Sequence, residues 1–76
     1  MNVLTVAFTQ ISQVQEFVNL TIQYPNDVDL VSGRYTVDAK SLLGIYSLDL
    51  RNSLQVVIYG ENSEQLAEKL KPFLTE

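Results

Sequence analysis

Histidine and cysteine are both absent from the 76 residues of the sequence. Without cysteine the chain forms no disulfide and offers no thiol nucleophile or thiolate metal ligand. Without histidine it has no imidazole to carry a phosphoryl group or to act as a general acid or base. Asp27, Asp29 and Asp38 are close in sequence but lack the fixed spacing of a cation-binding loop. These observations predict a protein that is not an enzyme and that binds neither a cofactor nor a metal.

Positive charge is also scarce, since five basic residues against nine acidic ones give a formal net charge of −4. The basic residues form no patch that would attract phosphate backbones or anionic lipid. No apolar run approaches the roughly 18 residues of a membrane-spanning helix, and residues 1–6 lack the basic and long apolar parts of a signal peptide. We expect a cytoplasmic protein whose partners include neither nucleic acid nor membrane.

The residues that are present suit a small packed globule, because 46% of them are apolar and only 18% are charged. At this length, folding buries roughly 60% of the surface of the unfolded chain, which is enough for one modest core. The expectation is a single domain over residues 1–76 that is monomeric or forms a weak homodimer.

Apolar residues alternate with other residues in four segments, which predicts four β-strands. These segments are residues 3–8, 28–30, 35–37 and 54–58. Ser32 and Gly33 supply a tight turn between the second and third strands. The middle two strands are therefore predicted to form a β-hairpin.

Helical spacing predicts a first helix over residues 12–23. Ser12 and Gln15 are placed to form a capping box at its start, and Pro25 ends it because the residue before a proline leaves helical geometry. Its predicted apolar stripe consists of Ile11, Val14, Phe17, Val18 and Ile22.

Two more helices are predicted in the second half of the chain. A helix of about two turns follows Ser41, which is placed to cap it, while Gly44 weakens it. A last helix begins at Asn62 or Ser63 and ends or kinks near Lys71 because of the proline that follows. Its predicted apolar face consists of Leu66, Leu70, Phe73 and Leu74.

The resulting order is β-α-β-β-α-β-α, which predicts a mixed α/β (α+β) fold. Three helices are expected to cover one face of a four-stranded, mainly antiparallel sheet, as in an open-faced β-sandwich. Several unrelated small folds share this order, so it does not by itself indicate a family.

A more specific signal lies in residues 27–48, where the hairpin runs into Lys40-Ser41-Leu42-Leu43-Gly44. This segment resembles the centre of HPr, the phosphocarrier protein of the bacterial sugar phosphotransferase system. In HPr the second hairpin strand likewise leads into a Lys-Ser-aliphatic-aliphatic-Gly helix. The resemblance implies an HPr-like fold over essentially the whole chain.

HPr proteins carry the phosphoryl group on a histidine before the first helix, and a nearby arginine helps to hold the phosphate. Alignment without gaps puts Gln10 at the histidine and Ser12 at the arginine. A glutamine amide is not a nucleophile, and serine has no cationic fork for phosphate. The sequence is similar in this respect to catabolite repression HPr, in which glutamine also replaces the histidine. Fewer residues precede Gln10 than in the family, so we expect a shortened loop.

Ser41 matches the family's regulatory serine, which a dedicated kinase phosphorylates. A phosphate at a helix N-cap meets free backbone N–H groups, and Lys40 is placed to add a charge-assisted contact. The alternative is that Ser41 is simply a helix cap, a position that serine favours.

The same resemblance implies a docking face for partner proteins, made of the short helix and the start of the first helix. The candidate partner-binding residues are Lys40, Leu42, Leu43, Tyr46, Gln10 and Ser12, with Gln13 beside them. At least one of Leu42, Leu43 and Tyr46 is expected to point outward, because a two-turn helix cannot bury all three on one stripe.

Two functions remain open on these grounds. The first is a regulatory or adaptor protein that binds HPr kinase or a transcriptional regulator through the Ser41 helix, under the control of Ser41 phosphorylation. The second is a structural or homo-oligomerising module that has kept the fold and lost the family's partners.

Overall fold

The computed structural model describes residues 1–75 and has the predicted order of elements. The strands are β1 (Asn2–Val6), β2 (Val28–Ser32), β3 (Tyr35–Asp38) and β4 (Leu54–Ile58). The helices are α1 (Ile11–Ile22), α2 (Leu42–Tyr46) and α3 (Ser63–Lys69), and a 3₁₀ turn covers Lys71–Phe73. None of the helices in this described part of the chain is long and apolar enough to cross a membrane.

The strands form one sheet in the order β1-β4-β2-β3, and every neighbouring pair is antiparallel. Val56 of β4 lies opposite Leu4 of β1 and Leu30 of β2. These side chains share one face of the sheet, because side chains alternate between faces along each strand. The prediction of a four-stranded, mainly antiparallel sheet is confirmed.

The helices cover one face of this sheet and leave the other face to solvent. In β4, Leu54, Val56 and Ile58 are buried, whereas Gln55 between them is exposed. The helices supply the other side of the core through Val14, Phe17 and Val18 of α1, Ile45 of α2 and Leu66 of α3. The fold is the predicted open-faced sandwich.

Three phenylalanines form an aromatic cluster within this core. Phe17 lies 5.3 Å from Phe8 and 5.9 Å from Phe73 between ring centroids, and Phe8 lies 6.0 Å from Phe73. All three contacts are edge-to-face, the arrangement that the aromatic quadrupole favours. β1 ends at Val6 and not at residue 8 as predicted, because Val6 lies opposite Leu54, the first residue of its partner strand β4. After Val6 the chain follows the C-terminal turn, since the Ala7 N–H donates to the Phe73 carbonyl at 3.0 Å.

The C-terminal helix is shorter than its apolar pattern indicated. α3 ends at Lys69, because Pro72 belongs to the separate 3₁₀ turn. Asn62 is the N-cap residue, but it has a left-handed φ of 59° and its side chain makes no capping hydrogen bond. Leu74 does not join the buried face: it is exposed and forms a β-bridge with Val6 at the edge of the sheet.

Candidate functional site

Ser41 lies at the N-cap of α2, where the sequence predicted a cap. Its Oγ accepts a hydrogen bond from the Gly44 N–H at 3.1 Å, and its own N–H donates to the Asp38 carbonyl at 3.0 Å. The hydroxyl satisfies a backbone N–H that has no partner inside the helix. Ser41 is half-buried, so it combines this structural role with partial access to solvent.

Gly44 provides the space for this cap. A methyl group at Gly44 would lie 3.2 Å from the Ser41 Oγ and 3.5 Å from the Val37 Cβ. A larger side chain would clash with the Ser41 hydroxyl and with Val37 of β3. The sequence indicated only that this glycine weakens a helix, whereas the structure shows the close approach that explains its presence.

Lys40 does not direct its charge toward Ser41. Its Nζ donates to the carbonyl of Tyr24 at 2.7 Å, just beyond the end of α1. Its backbone N–H donates to Asp38 Oδ1 at 2.9 Å. The side chain therefore ties the end of α1 to the segment that precedes α2.

Two of the three α2 residues expected at the docking face point outward. Leu43 is 83% exposed and Tyr46 is 42% exposed, whereas Leu42 is half-buried against the core. Ile45 is fully buried and anchors the helix. Leu43 and Tyr46 are three positions apart and so lie on the same side of α2. The expectation that at least one of the three residues faces solvent is confirmed.

The start of α1 differs from the prediction by one residue. Ile11 is the first helical residue and Gln10 is the N-cap, so Ser12 lies inside the helix and starts no capping box. Gln13 satisfies the free N–H groups instead: its Oε1 accepts from Gln10 at 3.2 Å and from Thr9 at 2.6 Å. A glutamine at this position can perform that half of a capping box. The Ser12 hydroxyl donates to Gln10 Oε1 at 3.4 Å.

The buried stripe of α1 is shorter than its periodicity predicted. Val14, Phe17 and Val18 are buried, but Ile11 is 72% exposed and Ile22 is 59% exposed. Both isoleucines lie at the ends of the helix, and periodicity alone does not show where the core that covers a stripe stops. Ile11 thus adds an apolar side chain to the surface at the start of α1, which the sequence prediction missed.

A groove of about 690 Å³ joins the start of α1 to the segment after α2. It is lined by Phe8, Thr9, Gln10, Ile11 and Val14 on one side and by Leu48, Asp49, Leu50 and Arg51 on the other. The structure therefore brings together two segments that are distant in sequence. Gln10 lines the groove and Ser12 does not. The residues from 48 to 51 were absent from the predicted site, because no pattern in the sequence linked them to residues 8–14.

An exposed ion pair lies on this groove. Arg51 donates from Nε to Asp49 Oδ1 and from Nη2 to Asp49 Oδ2, each at 3.0 Å. This side-chain hydrogen bonding is the main cause that lowers the pKa of the Asp49 carboxyl and raises the pKa of the Arg51 guanidinium. Because both groups are exposed, the pair adds little to stability. It adds two opposite charges to a groove lining that otherwise consists of apolar residues with Thr9 and Gln10.

Residues 10–76 match the family model described as the PTS HPr component phosphorylation site. The chain belongs to the HPr family. Its structure also resembles HPr-C-His from Thermoanaerobacter tengcongensis, with a TM-score of 0.83 and 20% sequence identity over 95% of this chain and 89% of that one. The HPr fold expected from the resemblance is therefore confirmed.

Two further HPr-family structures are similar. The phosphocarrier protein HPr from Bacillus anthracis str. Ames has a TM-score of 0.80 and 23% identity, over 97% of this chain and 94% of that one. The catabolite repression protein Crh of Bacillus subtilis, described as an intertwined dimer with a swapped domain, has a TM-score of 0.69 and 27% identity, over 90% and 79% of the two chains. Curated protein sequences provide no significant match.

Membership in the HPr family indicates the general class of function. HPr proteins are phosphocarriers that act through protein partners and are not catalysts. This member of the family has no histidine anywhere in its sequence. Its match to the family begins at Gln10, the residue that the ungapped alignment sets at the phosphohistidine position.

One end of the open face of the sheet carries acidic side chains. Asp27, Asp29 and Asp38 line a pocket of about 490 Å³ together with Lys40 and Tyr59. The Tyr59 hydroxyl donates to Asp29 Oδ2 at 3.1 Å, and this hydrogen bond raises the pKa of the Tyr59 phenol. The part of the chain that the structure describes contains no cluster of three or more potential metal ligands. The three aspartates of the pocket therefore give this end of the open face negative charge.

Proposed function

We propose that this protein is a regulatory or adaptor member of the HPr family that does not carry phosphohistidine and that binds a protein partner through the surface around α2. It acts in the cytoplasm as a single HPr-like domain over residues 1–76. The observation that carries the proposal is the group of exposed apolar side chains on α2 and at the start of α1, in an HPr that lacks histidine.

The exposure of Leu43, Tyr46 and Ile11 supports a docking role. Single exposed apolar residues are common on protein surfaces, but these three lie on the two elements that the HPr resemblance assigns to partner binding. The groove beside Ile11 gives that side of the surface a concave apolar shape, which suits an apolar side chain of a partner. Leu43 contributes little to the fold, since most of its surface is in solvent.

Phosphorylation of Ser41 is the proposed control. A phosphate there would add about −1.5 to −2 charges within two residues of Leu43, and it would replace the hydroxyl that now accepts from Gly44. Such a change alters both the charge and the local geometry of the docking surface. HPr kinase is the proposed modifying enzyme and a transcriptional regulator is a proposed partner.

Leu43→Asp is expected to weaken partner binding by a factor of ten or more, because it places a charge within an apolar contact. This loss corresponds to a binding free energy on the order of 1–2 kcal/mol or above. The free energy of unfolding should change by less than about 0.5 kcal/mol, since the position is exposed. Immobilised wild-type and variant proteins, incubated with host cytosol and followed by quantitative mass spectrometry, provide the comparison.

Ile22→Asp is the matched control for this experiment. It introduces the same charge at another exposed aliphatic position, but at the far end of α1 from Ile11. A specific partner should be retained by wild type and Ile22→Asp and lost by Leu43→Asp. Equal retention by both variants would exclude α2 as the docking surface.

Purified HPr kinase with ATP is expected to add one phosphoryl group to the wild-type protein and none to Ser41→Ala. Phosphoenolpyruvate with enzyme I is expected to add none to either protein, because glutamine offers no nucleophile at position 10. Intact-protein mass spectrometry measures both reactions, with a histidine-containing HPr as the positive control. If HPr kinase leaves the wild type unmodified under conditions that phosphorylate the control, the proposed Ser41 switch is excluded. A stable phosphoryl adduct after incubation with enzyme I would show an acceptor other than histidine.

The second candidate function is a homo-oligomerising module without family partners. The intertwined dimer of Crh supports it, since a relative of the same fold assembles with itself. Light scattering that shows a stable dimer unaffected by Ser41→Asp would favour this function over partner regulation.

A further inference from the structure

β3 is an edge strand with one unpaired side. It neighbours only β2, and no other strand within residues 1–75 pairs with it. Arg34, Tyr35, Thr36 and Asp38 are all exposed along this edge. The opposite edge of the sheet is partly covered, because the C-terminal segment bonds to β1. An open strand edge is a template for a further strand.

The backbone groups of Thr36 face outward from this edge. Ser32 and Tyr35 flank a two-residue turn, and residues in that position form a hydrogen-bonded pair. The orientation then alternates along β3, in agreement with the Ala39 N–H, which donates to β2 at 2.9 Å. The N–H and C=O of Thr36 therefore point away from β2 and are free to pair with another strand.

A second copy of β3, antiparallel and centred on Thr36, matches this edge residue by residue. Thr36 then lies opposite the same threonine of the other copy, and Tyr35 lies opposite Val37. The members of both pairs share a face of the sheet, and threonine pairs and aromatic residues beside β-branched residues are favourable cross-strand pairs. Arg34 lies in the hairpin turn that precedes β3, and this arrangement brings it next to Asp38 of the other copy.

The charges on the open face also favour a second copy. Within one copy Asp38 lies directly opposite Asp29, and like charges in that arrangement are unfavourable. Lys40 lines the same pocket, but its Nζ donates to the Tyr24 carbonyl. Arg34 of a second copy would bring a guanidinium to Asp38. Edge charges commonly prevent self-pairing, whereas here their signs are complementary.

We propose that two copies of this chain associate through β3 in a symmetric antiparallel pair, which joins their sheets into one sheet with four strands from each copy. Each copy contributes a strand of only four residues, so the interface is smaller than the roughly 1,200 Å² of stable complexes. The dimer is therefore transient and depends on concentration. It does not use Leu43 or the groove, and it does not rest on the proposed partner binding.

Thr36→Pro is expected to abolish this dimer, because proline removes the outward N–H and leaves the hydrogen bonds between β2 and β3 in place. Thr36→Val keeps the N–H and is the matched control, which should associate like the wild type. Sedimentation equilibrium up to millimolar protein measures the association, and circular dichroism verifies that each variant is folded.

Exchange of the charges gives a second, independent measurement. Arg34→Asp and Asp38→Arg should each weaken self-association about tenfold or more, since each sets like charges next to each other. An equimolar mixture of the two variants should recover the wild-type association, because both charge pairs are then restored between unlike copies. The proposal is overturned if the wild type stays monomeric, or if dimers persist in Thr36→Pro and the mixture shows no recovery. Such a persistent dimer would use another surface.

Discussion

Phe17→Ala is expected to lower the free energy of unfolding by about 3–5 kcal/mol, the usual cost of truncating a buried phenylalanine. Phe17 is fully buried and contacts Phe8 and Phe73 edge-to-face, so its removal leaves a cavity and ends two aromatic contacts. Proteins gain only about 0.05–0.15 kcal/mol of stability per residue. The variant should therefore lose a large part of its stability, as measured by urea denaturation.

Ile22→Ala is the control on the same helix. Its side chain is mostly in solvent, so the free energy of unfolding should change by no more than about 0.5 kcal/mol. A similar loss in both variants would contradict the assignment of the buried stripe to the middle of α1. If Phe17→Ala lowered the free energy of unfolding only slightly, that result would contradict the buried aromatic cluster.

Asn26→Asp is expected to lower the free energy of unfolding by about 2–3 kcal/mol. The buried Asn26 amide donates to the Tyr59 carbonyl at 2.7 Å and to the Glu61 carbonyl at 2.9 Å. A carboxylate cannot donate either bond and faces two carbonyl oxygens instead. This residue joins the turn after α1 to the segment that follows β4. The sequence pattern indicated only a turn residue and did not reveal this role.

The loss in Asn26→Asp should depend on pH. Burial and the two carbonyl oxygens raise the pKa of the introduced carboxyl above its unfolded value. A raised pKa in the folded state gives stability that is present at low pH and is lost as pH rises. The deficit relative to the wild type should therefore shrink below about pH 4. Asn19→Asp, an exposed position on α1, should show neither the loss nor the recovery, and a deficit of constant size across pH would exclude this explanation.

The element order was predictable because each segment has a local signal that the fold does not override. The alternation in residues 54–58 matches β4, and Ser32 with Gly33 indicated the hairpin that the structure contains. Ser41 was predictable as a cap because its hydroxyl acts within its own turn. These features depend on neighbours within a few residues.

The features that the sequence did not predict correctly depend on residues that are distant in the chain. Ile11 follows the apolar period of α1 but is exposed, because core residues cover only the middle of the helix. β1 ends early because Val6 lies opposite Leu54, where the partner strand β4 begins. The hydrogen bond from Lys40 to the Tyr24 carbonyl, which no sequence pattern indicated, depends on where α1 ends in space.

The sequence by itself determined the element order, the hairpin and the α2 cap, and it excluded histidine chemistry by composition alone. Only the tertiary structure decided that Leu43 and Ile11 face solvent, that a groove joins the start of α1 to residues 48–51, and that β3 has an open edge with complementary charges. The physical reason is range: turns, caps and periodicity act over a few residues, whereas burial, grooves and strand edges are set by which segments pack together.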